Sequence, residues 1–210
     1  MKLWRTIISR GFALSLLLAA CFPPRMLQSV LYDFDDGIQG WRAAHLEDSW
    51  PDNETAISVA ESREAGHDTG ALWGSFDFGK TTANFPRATY YHSFPATPKD
   101  WTSAVELRFD ARFLPTTDGT IKATFVVKTG DQFCYNEHSD FQFVEQEWTS
   151  LAFPLKSNRY NSCDDPDGYD ASLIGGNQVV EFALVFIPSP DNDRFAGAVL
   201  IDNVRLIERP

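Results

Sequence analysis

"VELRFDARF", Val105–Phe113, alternates without a break. Val105, Leu107, Phe109, Ala111 and Phe113 fall on one side of an extended chain, and Glu106, Arg108, Asp110 and Arg112 fall on the other. A period of two belongs to a β-strand with one face buried and the other solvated. "TIKATFVVKT", Thr120–Thr129, repeats the pattern with Ile121, Ala123, Phe125 and Val127 on the apolar side. "LPTTDG" between them has the composition of a turn, so the two strands are expected to pair as a hairpin.

The same reading extends outward in both directions. "VLYDF", "AISVAES", "ALWGSFDFG", "RATYYHSF", "EWTSLAFPL" and "AVLIDNVRLI" are further short strand candidates, divided by Gly, Pro, Asn and Asp. "VVEFALVFI", Val179–Ile187, is apolar almost throughout and is expected to lie centrally, covered on both faces. No helix-period segment of useful length follows residue 20. The pattern predicts an all-β fold: an antiparallel two-sheet β-sandwich. "SNRYNSCDDPDGYDASLIGGN" is the longest polar, Gly-rich loop.

The N-terminus has a different character. Lys2, Arg5 and Arg10 precede the apolar run "FALSLLLAA", a signal-peptide pattern too short for a stable transmembrane helix. "LAAC" resembles the lipobox of bacterial lipoproteins, which implies cleavage after residue 20 and lipidation of Cys21. The expected organisation is a leader over 1–20, a lipidated Cys and tether over 21–29, and one domain over 30–210. That domain is long enough for a sizeable core. It places the protein at the bacterial cell envelope, periplasmic or surface-exposed, held to a membrane through Cys21. The N-glycosylation acceptor pattern at Asn53 is a coincidence under such a leader.

Three of the 18 basic residues and none of the 29 acidic ones lie in the leader, so the remainder holds 15 basic residues and a balance of −14. Such a surface repels phosphate backbones and excludes nucleic acid as a natural partner. Cys134 and Cys163 are the two remaining cysteines, and in an oxidising compartment an even pair forms a disulfide.

His45, His67, His92 and His138 show no metalloprotease spacing, and no nucleophile elbow, P-loop or dinucleotide fingerprint occurs. Most carboxylates lie in turns or on polar strand faces, where the raised pKa that a glycosidase acid needs is hard to produce.

Five motifs in order resemble jelly-roll carbohydrate-binding modules, the galactose-binding-like β-sandwiches. They are "YDFDDGIQGW", "TGALWGSFDF", "KDWTSAVELRFDARF", "EWTSLAFPL" and "GAVLIDNVRLIERP". The resemblance spans the whole chain after the leader and implies that the first and last strands are neighbours. It also implies a structural Ca²⁺ between them, held by Asp35, the Asp33 carbonyl, Asp202 and the loop "EAGHDTG", where Glu64 or Asp68 offers a side chain. Hard oxygen donors and clustered carboxylates suit that ion. The bland alternative has Asp202 capping a bend through Asn203, with Asp35 solvated or paired to Arg205.

Sugars are bound by aromatic faces, with polar groups fixing orientation. Trp41, Trp101 and Trp148 sit at strand entrances and read as packing. Tyr90, Tyr91 and His92 lie together in one strand, so one tyrosine must leave the core face. Trp73 poses the same choice. Tyr135 and His138 follow Cys134, and Tyr160 lies across the expected disulfide. Arg108 and Lys128 occupy polar strand faces. These nine, Trp73 to Tyr160, are the ligand-binding candidates.

The expected function is non-catalytic binding of a polysaccharide or oligosaccharide, with a partner enzyme or envelope protein as a further contact. Two other readings stay open: an interaction or assembly lipoprotein without a sugar ligand, and a small glycan-active hydrolase or lyase.

Overall fold

The computed structural model describes residues 26–45, 56–62, 70–94, 96–163, 171–191 and 193–209. The leader, Cys21, Asn53, Glu64, His67 and Asp68 lie outside them. Among the described residues no helix is long and apolar enough to cross a membrane.

The described residues form thirteen strands: β1 (Leu27–Tyr32), β2 (Arg42–Ala43), β3 (Ala56–Ser62), β4 (Ala71–Asp77), β5 (Ala88–Ser93), β6 (Ala104–Pro115), β7 (Ile121–Thr129), β8 (Cys134–His138), β9 (Gln142–Val144), β10 (Thr149–Pro154), β11 (Tyr160–Ser162), β12 (Val179–Pro188) and β13 (Ala196–Glu208). β1 begins at Leu27, inside the stretch expected to be tether. Sheet one runs β10-β6-β13-β4-β3, with β1 also on β13. Sheet two runs β11-β8-β7-β12-β5-β2, with β9 also on β7. All pairings between these strands are antiparallel.

The expected β6–β7 hairpin does not form. β6 pairs with β10 and β13 in sheet one, whereas β7 pairs with β12, β8 and β9 in sheet two. Each strand turns its apolar side to the core from opposite walls, so the connection has to cross the sandwich. Thr116 Oγ1 donates to the Ala196 carbonyl at 2.6 Å and Thr120 Oγ1 to the Ser189 carbonyl at 2.6 Å, fixing both ends of that crossing. A turn composition specifies a reversal of the chain, not the sheet in which it continues.

Phe153 of sheet one, stacked on Phe109, meets Phe125 from sheet two, with the Phe125 and Phe153 rings 5.5 Å apart and edge-on. Tyr32, Trp41, Trp101 and Phe182 form a second aromatic knot. Each such buried ring contributes about 2–3 kcal/mol through apolar area removed from water. Gly74 is required by this packing: a Cβ there would sit 2.4 Å from the Tyr90 ring, which crosses from sheet two. β12 is central in its sheet, and Glu181–Phe186 are all buried, as a two-sided apolar strand should be. Cys134 and Cys163 are bonded, tying β8 to the end of β11.

Candidate functional site

Alternation along the strands of sheet two sends one set of side chains to the core and the other to the outside. Residues directly opposite in antiparallel strands share a face. Register therefore sets two outer rows. One crosses β2, β5, β12, β7 and β8 as Arg42, Tyr91, Ala183, Val126 and Glu137. The other is Ser93, Glu181, Lys128 and Tyr135. Between these and the far end lie Thr89, Val185 and Thr124. On the two middle strands Ala183, Val126, Val185 and Thr124 form a floor of small, buried side chains with the Glu181–Lys128 pair at one end, and Tyr91, 8% exposed, and half-buried Tyr135 stand on the strands at either side.

Lys128, Glu181 and Glu137 are paired on this face. Lys128 Nζ is 3.1 Å from Glu181 Oε1, and Ser93 Oγ donates to the same carboxylate. Arg87, one residue before β5, reaches over to Glu137 at 2.7 Å, and its guanidinium lies 3.5 Å from the Tyr135 hydroxyl. Buried ions survive only when matched in this way. A cavity of about 730 Å³ opens at one end of the face, against Arg42, Ser93, Glu181, Phe94, Asp131 and Phe133. Another of about 300 Å³ lies at the other end, against Arg87, Lys122, Ile187, Phe85, Phe141 and Asp191. Glu181 and Ile187 are six steps apart on β12, or about 20 Å. Exposed Phe133 marks the first end, and exposed Phe85 and Phe143 mark the second, with Lys122 over the Phe143 ring at 5.1 Å.

The nine candidate residues divide three ways. Tyr91, Lys128 and Tyr135 lie on this face together. Trp73 and Arg108 lie on the outer face of sheet one, on the far side of the molecule; Trp73 is opposite Leu200, and Arg108 forms an ion pair with Glu106. Tyr90, His92, His138 and Tyr160 turn inward. Tyr90 donates to the Ser75 carbonyl at 3.0 Å. His92 packs its ring on Tyr32 and Phe94. His138 packs against Phe125 and Tyr160, and its Nε2 is 3.2 Å from the Pro154 carbonyl. The inward turn follows from parity, because each shares its strand face with core residues. Burial holds both histidines below the usual imidazole range and raises the Tyr90 and Tyr160 hydroxyls.

Arg42, Arg87, Ser93, Glu137 and Glu181 were not among the candidates. Glu181 carried a signal: it is the lone charge inside the apolar run of β12, and a charge in such a strand needs a partner.

The carboxylates at the far end of sheet one are also placed. β1 pairs with β13 up to Tyr32 opposite Val204, which makes the first and last strands neighbours. Phe34 (φ 56) and Asn203 (φ 50) both take left-handed backbone there, bending the two strands. The Asp33 side chain is 3.0 Å from the Gln39 amide, which holds its carboxyl below the usual range. Its carbonyl is not engaged by that contact. Asp35 is exposed, while Asp202 is buried opposite Asp110 and accepts from the Asn203 amide at 2.6 Å. Arg205 lies 3.6 Å from Asp110. Gly70, at the end of the "EAGHDTG" loop, packs so closely that a Cβ would lie 2.5 Å from the Phe34 carbonyl oxygen. Among the described residues no three His, Cys, Asp or Glu side chains converge as a metal cluster. The remaining expected ligand, Asp68 or Glu64, falls outside them. The described donors are oxygens, which fit a hard cation.

No family model and no curated protein matches the sequence. Solved structures do match. The chain superposes on the family 11 carbohydrate-binding module of a cellulosomal cellulase of Clostridium thermocellum with a TM-score of 0.60 at 15% identity, covering 86% of this chain and 94% of that one. A family 11 module from Clostridium thermocellum in complex with a β-1,3-1,4-mixed-linked tetrasaccharide gives 0.60 at 14% identity, over 87% and 96%. CBM27-1 of Caldicellulosiruptor saccharolyticus in complex with mannohexaose gives 0.54 at 16% identity, over 86% and 96%. At such identities the likeness is one of fold: the jelly-roll-like β-sandwich of carbohydrate-binding modules.

Proposed function

We propose that this protein is a non-catalytic glycan-binding module of the bacterial envelope, anchored through a lipidated Cys21, and that it binds a polysaccharide on the outer face of sheet two. One observation carries the proposal. Tyr91 and Tyr135, far apart in sequence, stand on the same face with Arg42, Lys128, Glu137 and Glu181 around a floor of small side chains. Half-buried Tyr135 and the exposed edge of Tyr91, 8% of its surface, would meet sugar C–H groups, and the paired charges offer fixed hydrogen-bonding groups. The role is binding without chemistry: on this face Glu181 and Glu137 are held in ion pairs with Lys128 and Arg87.

A structural Ca²⁺ is part of the same reading. Asp35, Asp202 and the Asp33 carbonyl would hold it at the β1–β13 end, with Asp68 or Glu64. The ion would neutralise the clustered carboxylates and fasten the first strand to the last.

A glycan array probed with the protein, Tyr91→Ala and Tyr135→Ala tests the function. Binding to a defined polysaccharide that both variants lose is the expected result. Silence of the unaltered protein across plant, algal and bacterial glycans would favour an interaction lipoprotein, and released product would favour an enzyme.

A further inference from the structure

The first strand is exposed where it enters the fold. Met26, Leu27 and Val30 are 44%, 52% and 54% exposed, whereas Leu31 packs against the core and Tyr32 is buried. Leu27 and Val30 lie three residues apart and so project from opposite faces of β1. Both meet solvent because β1 lies at an edge. Its one partner among the described strands is β13, with Leu27 opposite Glu208 and Val30 opposite Arg205.

Edge strands that face water are commonly protected by charged side chains. β1 reads LQSVLY and carries none, in a chain whose 29 acidic residues all follow the leader. The two charges opposite it on β13 are engaged within the fold. Glu208 accepts from the Ser29 and Ser103 hydroxyls, and Arg205 lies 3.6 Å from Asp110. What β1 presents outward is therefore apolar or neutral.

Its place in the chain gives that surface a neighbour. Residues 22–25 alone separate Met26 from Cys21, so the two Cα atoms are at most about 18 Å apart. β13, thirteen residues long, spans about 40 Å, and β1 starts beside its last residue, Glu208. A lipid on Cys21 keeps the start of β1 within that short reach of the bilayer, and places no such limit on the end near Ala196.

We infer that the exposed start of β1, with Met26, Leu27 and Val30, is a membrane-contact surface that seats in the headgroup zone of a phospholipid bilayer. It rests on the lipid-anchor part of the reading above. An uncharged strand gives up no ionic hydration there, and apolar side chains settle about 5–10 Å into the boundary between headgroups and acyl chains. β1 belongs to sheet one, so the contact leaves the outer face of sheet two open to a polysaccharide.

The test uses the mature protein in phosphatidylcholine vesicles, with a nitroxide label on Gln28→Cys and, separately, on Phe85→Cys beside sheet two. Gln28 is exposed and lies between Leu27 and Val30, so its label leaves the three apolar residues in place. A water-soluble nickel chelate is expected to reach the Gln28 label about fivefold less than the same label in a background carrying Leu27→Ser and Val30→Ser. The Phe85 label should be reached equally in both backgrounds. Mass spectrometry of the same samples reads whether Cys21 bears lipid. Equal access to Gln28 in both backgrounds, with Cys21 lipidated, overturns the inference and leaves the anchor standing. An unmodified Cys21 overturns the anchor, and the inference with it.

Discussion

Lys128 and Glu181 face each other across adjacent strands of sheet two, 3.1 Å apart, with side chains 3% and 10% exposed. Two charges removed from water to that degree depend on each other, and breaking such a pair costs more than replacing it. Glu181→Ala should lose about 3 kcal/mol of stability, because the ammonium stays buried without this carboxylate. Lys128→Met with Glu181→Leu should recover most of that loss. Chemical denaturation of both single variants and the double variant checks this. A double variant as unstable as the sum of the two singles would show that the pair is not coupled.

Tyr90 and Tyr91 separate stability from binding. Tyr90 is fully buried above Gly74 and donates to Ser75, so Tyr90→Ala should cost about 3–5 kcal/mol, as for other large core rings. Tyr91 faces the other side of sheet two, opposite Arg42 and Ala183, and keeps 8% of its surface exposed. Tyr91→Ala should therefore give the larger loss of glycan affinity and the smaller loss of stability. Melting and binding measured on the same two variants decide it, and the reverse order would place the ligand elsewhere.

These two residues also show how far the sequence could be read. Alternation in "RATYYHSF" requires the tyrosines to part company, but both are large and amphipathic, so local pattern could not say which goes inward. That choice is made by Gly74, more than ten residues away, whose missing Cβ admits the Tyr90 ring. The same limit applies to β6 and β7. Their apolar faces were legible, yet hairpin and crossover bury the same residues, and only the positions of β10, β12 and β13 distinguish them. Trp73 and Arg108 satisfied the rule for an outward residue, but the rule does not name the sheet. The β1–β13 pairing was legible because it was carried by motifs at the two ends of the chain, not by periodicity.

His92 and His138 predict a pH response. Both imidazoles are held below their ordinary pKa, chiefly by burial. The unfolded chain then takes up protons that the folded chain refuses. Stability is fully present above the unfolded imidazole value of about 6.5 and is lost as pH falls through the lower folded values. The melting temperature should accordingly fall between pH 7.5 and pH 5, and His138→Gln should flatten that slope. A slope unchanged in His138→Gln would assign the response to other groups.

The disulfide predicts a response of a different kind. Cys134 and Cys163 are 29 residues apart and join β8 to the end of β11 at the edge of sheet two. Opening a loop of that size should cost about 3.5 kcal/mol by the chain-entropy relation. Melting with and without reductant measures it. Because Tyr135 directly follows Cys134, reduction should also weaken glycan binding on the sheet-two face. Reduction that lowers stability but leaves glycan affinity intact would remove Tyr135 from the binding face.

Calcium should act through the other end of the molecule. If Asp35 and Asp202 share an ion, Ca²⁺ binds the folded chain and not the unfolded one, and the gain grows with the logarithm of its concentration. At a thousand times its dissociation constant the stabilisation is about 4 kcal/mol. The melting temperature should rise with Ca²⁺ and return with chelator. Asp35→Asn is the informative variant, because Asp35 is exposed and its replacement leaves the core untouched. It should remove the Ca²⁺-dependent rise while changing the chelated melting point little. Asp202→Asn would do the same less cleanly, since Asp202 also accepts from the Asn203 amide and holds the bend in β13. A melting temperature indifferent to saturating Ca²⁺ would remove the ion from this end and leave Asp202 to its bond with the Asn203 amide and its other contacts within the fold.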